Sequence, residues 1–157
     1  MGSDSINYRK MLDYCRSLYD EKIPFNRVLG FKVASLDGDA VCVTFDMRPE
    51  LIGNYVHGFL HGGVISAVLD ATGGLTASIG MLKKLSDREP ARIEDRIARV
   101  GTIDLRVDYL RPGVGEHFTA TSRIMVFRIC TTGLASRRNR RRFSIPSWIA
   151  STGWTGD

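Results

Sequence analysis

Apolar residues recur at intervals of three and four across residues 5–20, as Tyr8, Met11, Leu12, Cys15, Leu18 and Tyr19. That spacing predicts an amphipathic helix, with Asp4 or Ser5 as its cap. Lys22-Ile23-Pro24-Phe25-Asn26 breaks the pattern, and a short helical turn over residues 25–29 meets Gly30. The period then changes to two. Residues 31–36 and 40–46 read as paired strands around the turn Asp37-Gly38-Asp39. In the second of these, Val41, Val43 and Phe45 alternate with Cys42 and Thr44, so one face belongs to the core. Residues 48–60 form a loop rich in Pro, Gly and Asn.

From about His61 to Lys83 the chain is apolar on most sides of a helix, through Val64, Ile65, Val68, Leu69, Leu75 and Ile79. Such a helix is buried rather than laid on a surface. Gly73 and Gly74 lie inside it. Each weakens a helix by roughly 0.5–1 kcal/mol against alanine, so the pair predicts another backbone packed close by. Residues 85–99 are strongly charged and read as an exposed connection with a short helix.

Residues 102–110 return to period two, with Ile103, Leu105, Val107 and Tyr109 on one face and Asp104, Arg106 and Asp108 on the other. Arg111-Pro112-Gly113-Val114-Gly115 is a turn, and residues 117–127 are a further strand. Beyond Arg128 the alternation fades, and Pro146 confines any strand over residues 143–154 to an edge or a bulge. There is no internal repeat. Helix, hairpin, long buried helix and then strands predict a single α+β domain over residues 1–157, an antiparallel sheet wrapped on one helix. Residues 1–30 are its N-terminal helical segment, and residues 128–157 an atypical basic C-terminal segment.

Charge changes this picture little. The formal charge of +5 equals the contribution of Arg137, Arg138, Arg140, Arg141 and Arg142 alone, so the remainder is neutral. No aromatic residues interleave that tract, so it reads as a solvated loop rather than a nucleic-acid site. Cys15, Cys42 and Cys130 have neither metal-ligand spacing nor a disulfide framework, which fits a reducing cytoplasm and no metal. The apolar runs fall short of the ~18 residues of a membrane span, and the first residues lack the apolar core of a signal peptide.

The chemistry concentrates in Leu60-His61-Gly62-Gly63-Val64-Ile65-Ser66-Ala67-Val68-Leu69-Asp70. Two glycines at a helix start leave backbone N–H groups bare, where the dipole favours developing negative charge. Asp70 places a carboxylate two turns inside an apolar helix, where an ionised group needs a partner or a task. An oxyanion site and a carboxylate in one segment suit attack on a thioester carbonyl. Gly62 and Asp70 are eight residues apart, ~12 Å along one helix, so they cannot both touch the same carbonyl carbon from one subunit. Joint action therefore requires a dimer with sites at the interface. His61 reads as a positioning group for the glycine turn. Asn54 stands either as a turn former or as a ligand for water or thioester. Thr102 either bonds Asp70 or is an ordinary strand threonine. His57 and His117 read as structural or exposed, and Asp104 and Asp108 as a solvated face paired with Arg106 or Arg111.

The segment from Leu60 to Asp70 resembles the HGG-x6-D motif of the PaaI-type hotdog acyl-CoA thioesterases. Gly101-Thr102-Ile103-Asp104-Leu105-Arg106-Val107-Asp108-Tyr109-Leu110-Arg111-Pro112-Gly113 is similar to the strand after the central helix in the bacterial YigI-like branch, and Pro24-Phe25-Asn26-Arg27-Val28-Leu29-Gly30-Phe31 fits too. The resemblance covers roughly residues 8–127. It implies a hotdog fold and a homodimer, often paired into a homotetramer. It implies hydrolysis of medium- or long-chain acyl-CoA to a free acid and coenzyme A, with no cofactor. By position, Gly62 would offer the oxyanion amide with Gly63 in support, and the partner subunit's Asp70 would be base or nucleophile. His61 and Asn54 would orient the thioester or water, and Thr102 would assist. Residues 128–157 depart from the family pattern of two alternating strands, as a shifted reading frame would make them. The rival expectations are a non-catalytic acyl-CoA-binding hotdog protein, a hotdog hydratase, and a nucleic-acid binder acting through the arginine tract.

Overall fold

A computed structural model describes residues 3–37, 40–85, 97–98, 100–125 and 153–156 of the chain. It contains α1 (Ser3–Ser17), α2 (Pro24–Leu29), β1 (Lys32–Asp37), β2 (Ala40–Asp46), β3 (Ile52–Asn54), β4 (Phe59–Leu60), α3 (Gly62–Leu85), β5 (His117–Arg123) and β6 (Gly153–Gly156). Strands β1, β2, β5 and β6 form one antiparallel sheet in that order, and β3 pairs with β4 in a separate hairpin. The expected α+β arrangement, an antiparallel sheet against a long helix, is the one observed.

Alternation decides the core. Val41, Val43 and Phe45 of β2 are buried, and Phe118, Ala120 and Ser122 of β5 face the same way. Phe45 stacks on Phe118 at 5.1 Å between ring centroids. Helix α3 closes this layer with Val68, Leu75, Ile79 and Leu82. Its buried hydroxyls are satisfied locally: Thr72 donates to Val68 O at 2.6 Å and Thr76 to Thr72 O at 2.8 Å. Thr76 also meets the hydroxyl of Ser122, which ties α3 to β5 through groups that would be costly to bury unpaired. By length and composition the stretch Gly62–Lys83 could cross a bilayer, contrary to the expectation that apolar runs fall short; here 56% of it is buried inside the fold as the core helix.

The N-terminal segment covers the other side of α3. Helix α1 begins at Ser3, so Asp4 and Ser5 lie inside it rather than capping it. It widens into a π-helical turn, Leu18–Lys22, before Pro24 starts α2 and Gly30 ends it in the left-handed region at φ 72°. Two side chains from this segment finish β1. The Val33 N–H donates to Asp20 Oδ1 at 2.7 Å, and Arg16 donates to the Val33 carbonyl. The β1–β2 register slips between Val33 and Ser35 at the same place.

Several expectations change. The loop over residues 48–60 contains a 3₁₀ turn, Pro49–Leu51, and the β3–β4 hairpin, whose strands are too short to show a period. Gly74 is approached by the Tyr19 hydroxyl rather than by a backbone, and Gly73 has nothing within 4 Å of where a Cβ would stand. Residues 102–110 belong to no strand: Ile103 is 62% exposed, Leu105 45% and Tyr109 55%, while Val107 packs against the core. Alternation marks an apolar face, but a ladder also needs a neighbouring strand, and none of the described strands pairs with this segment. The turn residues Gly38 and Asp39, most of the charged connection over residues 85–99, Cys130 and the arginine tract lie outside the described residues. Of residues 128–157, Gly153–Gly156 is described, and it pairs with β5 as β6.

Candidate active site

The site is built where β4 runs into α3. His61 is the residue before the helix, and it acts as the cap. Its Nδ1 accepts the Gly63 N–H at 2.8 Å, and its carbonyl accepts Val64 N–H at 2.9 Å and Ile65 N–H at 3.3 Å. A helix start has four N–H groups without intrahelical partners. Three are taken by His61, and among the described residues the Gly62 N–H has no acceptor. The Nδ1 that accepts is unprotonated, which places the ring proton of the neutral histidine on Nε2.

Glycines hold this ring in place by what they lack. A Cβ on Gly53 would stand 2.7 Å from His61 Cα and 2.9 Å from its Cδ2, and one on Gly63 would stand 2.9 Å from His61 Nδ1. Hairpin pairing of Ile52 with Leu60, together with donation from His61 N–H to Leu51 O at 2.9 Å, brings Gly53 against the histidine. Tyr109 completes the enclosure. Its ring lies 3.4 Å from where a Gly62 Cβ would be, and its hydroxyl donates to the Gly62 carbonyl at 3.2 Å.

A cavity of about 500 Å³ opens at this point, lined among others by Asn54, His61, Gly62, Ile65, Tyr109 and Arg111. His61 and Gly62 bring the start of α3 into its lining, where an anion or developing oxyanion is favoured. Asn54 lies in this wall, but its Oδ1 accepts the N–H groups of Val56 at 3.1 Å and His57 at 3.2 Å, so that oxygen serves the turn.

Asp70 sits two turns along α3. It is half-buried rather than enclosed, and the Thr102 hydroxyl donates to its Oδ1. Both expected partners are thus in contact within one chain. The Asp70 charge also reaches Tyr19, whose phenol is pushed up to about 12, mainly by burial. Gly62 and Asp70 stand at opposite ends of two helical turns of α3, ~12 Å apart along its axis.

The remaining candidates resolve simply. His57 stacks on Phe59 at 5.2 Å. His117 pairs with Asp46 at 2.8 Å, and Arg106 with Asp108 at 3.4 Å, all in solvent. Sequence reasoning placed Tyr109 on the apolar face of a strand and passed over Gly53. The ring-over-glycine contact and the histidine pressed on Gly53 need knowledge of which loop meets which helix. A glycine within the loop before the histidine was the available signal.

The chain is similar to proteins of known family. The family model described as the thioesterase superfamily matches residues 57–126, which include β4, α3 and β5. A protein of Escherichia coli K12 named medium/long-chain acyl-CoA thioesterase YigI is 42% identical over 103 residues. That match spans 66% of this chain and 66% of the relative, about two thirds of each. A crystal structure from Shewanella oneidensis related to the thioesterase superfamily is 42% identical, with a TM-score of 0.71, covering 75% of this chain and 77% of that one. A candidate thioesterase from Syntrophus aciditrophicus is 31% identical with the same TM-score of 0.71, covering 97% of this chain and 90% of that one.

Proposed function

The chain belongs to the thioesterase superfamily with its hotdog fold, and we propose that it hydrolyses the thioester of an acyl-coenzyme A, with medium- or long-chain acyl groups as substrates. The carrying observation is the unengaged Gly62 N–H at the start of α3, left alone when His61 takes the other three. The names of the relatives support the choice of thioester and of chain length.

The thioester carbonyl oxygen is received by the Gly62 N–H. A water attacks the carbonyl carbon, and Asp70 takes its proton. The oxyanion that forms is stabilised by an amide already in position, with no reorganisation at the moment of reaction. Collapse breaks the C–S bond, and the coenzyme A thiolate leaves and gains a proton. Thr102 holds one Asp70 oxygen, leaving the other for the water. His61 and Gly63 keep the glycine turn in place, and Asn54 contributes to the wall.

Two helical turns separate the amide from the carboxylate, so each working site takes Gly62 from one subunit and the partner subunit's Asp70. The exposed Ile103, Leu105 and Tyr109 support this assembly, because a second copy can cover an apolar face with which none of the described strands pairs. Homodimers, or dimers of dimers, follow. The free thiols of Cys15 and Cys42 favour a cytoplasmic setting, with a role in fatty-acid metabolism.

The test is thiol release from acyl-CoAs of increasing chain length, for the parent and for Asp70→Asn. The parent is expected to turn over medium- and long-chain substrates, and the variant to lose of order 10²–10⁴ in kcat. Binding of acyl-CoA without turnover in the parent would replace hydrolysis with a non-catalytic acyl-CoA-binding role.

A further inference from the structure

We propose that Tyr109 is a positioning residue for the oxyanion amide, acting as one jaw of a clamp whose other jaw is His61. This rests on the reading of Gly62 as the oxyanion donor. The Gly62 carbonyl and the Gly63 N–H belong to one planar peptide unit. Tyr109 holds its oxygen through a donated hydrogen bond at 3.2 Å, and His61 Nδ1 holds its N–H at 2.8 Å. The plane of that unit is therefore fixed from both sides.

The consequence falls on the neighbouring peptide. The Gly62 N–H belongs to the unit between His61 and Gly62, whose carbonyl is fixed by Val64 and Ile65. The two units share the Gly62 Cα, and Gly62 has no side chain to restrict rotation about its φ and ψ. Glycine gives the substrate close access to the amide, and it also leaves the two units free to turn against each other about their shared Cα. With the second unit clamped, the direction of the Gly62 N–H is set before substrate arrives. The ring of Tyr109 lies 3.4 Å from where a Gly62 Cβ would be, so it packs against the side-chain space that glycine leaves open. An oxyanion donor works when it is aimed in advance at the charge that develops.

The clamp acts through Gly62 and touches neither the acyl carbon nor the leaving group. Its loss should lower kcat and spare KM. Tyr109→Phe keeps the ring over Gly62 and deletes only the hydroxyl, so folding is preserved. The expected result is a loss of about tenfold in kcat, less than the 10²–10³ of deleting a donor outright, with KM within about twofold and an unchanged melting temperature. The Gly63 amide proton resonance should shift in the same variant, because its peptide unit has lost one of its two holds. Unchanged kcat overturns the proposal, and so does a fall in kcat/KM carried by KM or by lost stability. If the parent hydrolyses none of the acyl-CoAs offered, the catalytic reading fails on its own account. The Gly63 resonance then decides the clamp, which is refuted by an unmoved amide and retained as a structural device by a moved one.

Discussion

Adding one methyl group at Gly53 should disable the site without touching any group that meets substrate. The new Cβ in Gly53→Ala would stand 2.7 Å from His61 Cα and 2.9 Å from His61 Cβ. Carbon atoms rest at about 3.5–4.0 Å, so the histidine backbone must retreat by roughly 1 Å. It cannot retreat alone. Its N–H is bonded to Leu51 O and its carbonyl to Val64 and Ile65, so the displacement passes into the first turn of α3 and the Gly62 amide. Overpacking of this kind costs about 1–3 kcal/mol. At roughly 2–4 °C per kcal/mol for a chain of this size, the melting temperature should fall by several degrees. A catalytic group misplaced by about 1 Å loses on the order of 10²-fold in rate, and kcat/KM in the thiol-release assay should fall accordingly. Gly58→Ala is the control. Gly58 has φ +66° and nothing within 4 Å of its Cβ position, so the variant pays about 1–2 kcal/mol in backbone strain and leaves His61 alone. Its activity per folded molecule should match the parent. If Gly53→Ala kept parental activity and stability, the reasoning that His61 is seated by the missing Gly53 side chain would be wrong.

Further expectations can be checked independently. Mixing inactive Asp70→Asn chains with inactive Gly62→Pro chains should restore some activity, because proline removes the Gly62 N–H and each mixed dimer keeps one intact site; heterodimers of two folded variants without activity would refute the shared site. His117 has its affinity for a proton raised by its hydrogen bond and charge contact with Asp46. That pair therefore stabilises the fold fully below about 6.5, and its contribution is lost as pH rises through the raised value. Comparing melting temperatures of the parent and His117→Gln at pH 5.5 and pH 9 should show a small difference only at the lower pH. Burial pushes the Cys15 thiol from 9.0 up to about 11, so the folded protein should lose stability as pH climbs across that interval. Cys15 should also resist alkylation at pH 8 until denaturant is added, and rapid labelling of native protein at that position would contradict its burial.

The parts legible in the sequence were those whose meaning is local. A helix whose four opening N–H groups need acceptors, a histidine placed to supply them, and a carboxylate two turns on all lie within ten residues, His61 to Asp70. The β1–β2 hairpin and β5 were likewise legible, because period two over six or seven residues survives as a pattern. Thr102 meeting Asp70 was legible only as one of two options, because it joins positions 32 residues apart. Tyr109 was misread for the same reason that residues 102–110 were. Alternation groups Tyr109 with Ile103 and Leu105 on one face of a strand, while the fold turns its hydroxyl onto Gly62, 47 residues away. Gly53 carried only the weak signal of a glycine in the loop before the histidine. A glycine that is required because a distant backbone occupies its side-chain space looks like any loop glycine until both segments are placed.

The attachment of α1 to β1 also sets the direction in which this protein can grow. A sheet is an open polymer with two ends, and strands add wherever an end offers free N–H and C=O groups. At Val33 both groups are already spent on Asp20 and Arg16, two side chains of one helical segment that cannot extend the ladder further. The N-terminal segment is thus a chain terminator for one end of the sheet. A further strand arriving at that edge would find Val33 already occupied. Removing residues 1–22 would free both groups at Val33 and leave that edge of the sheet open to another strand, a route to aggregation.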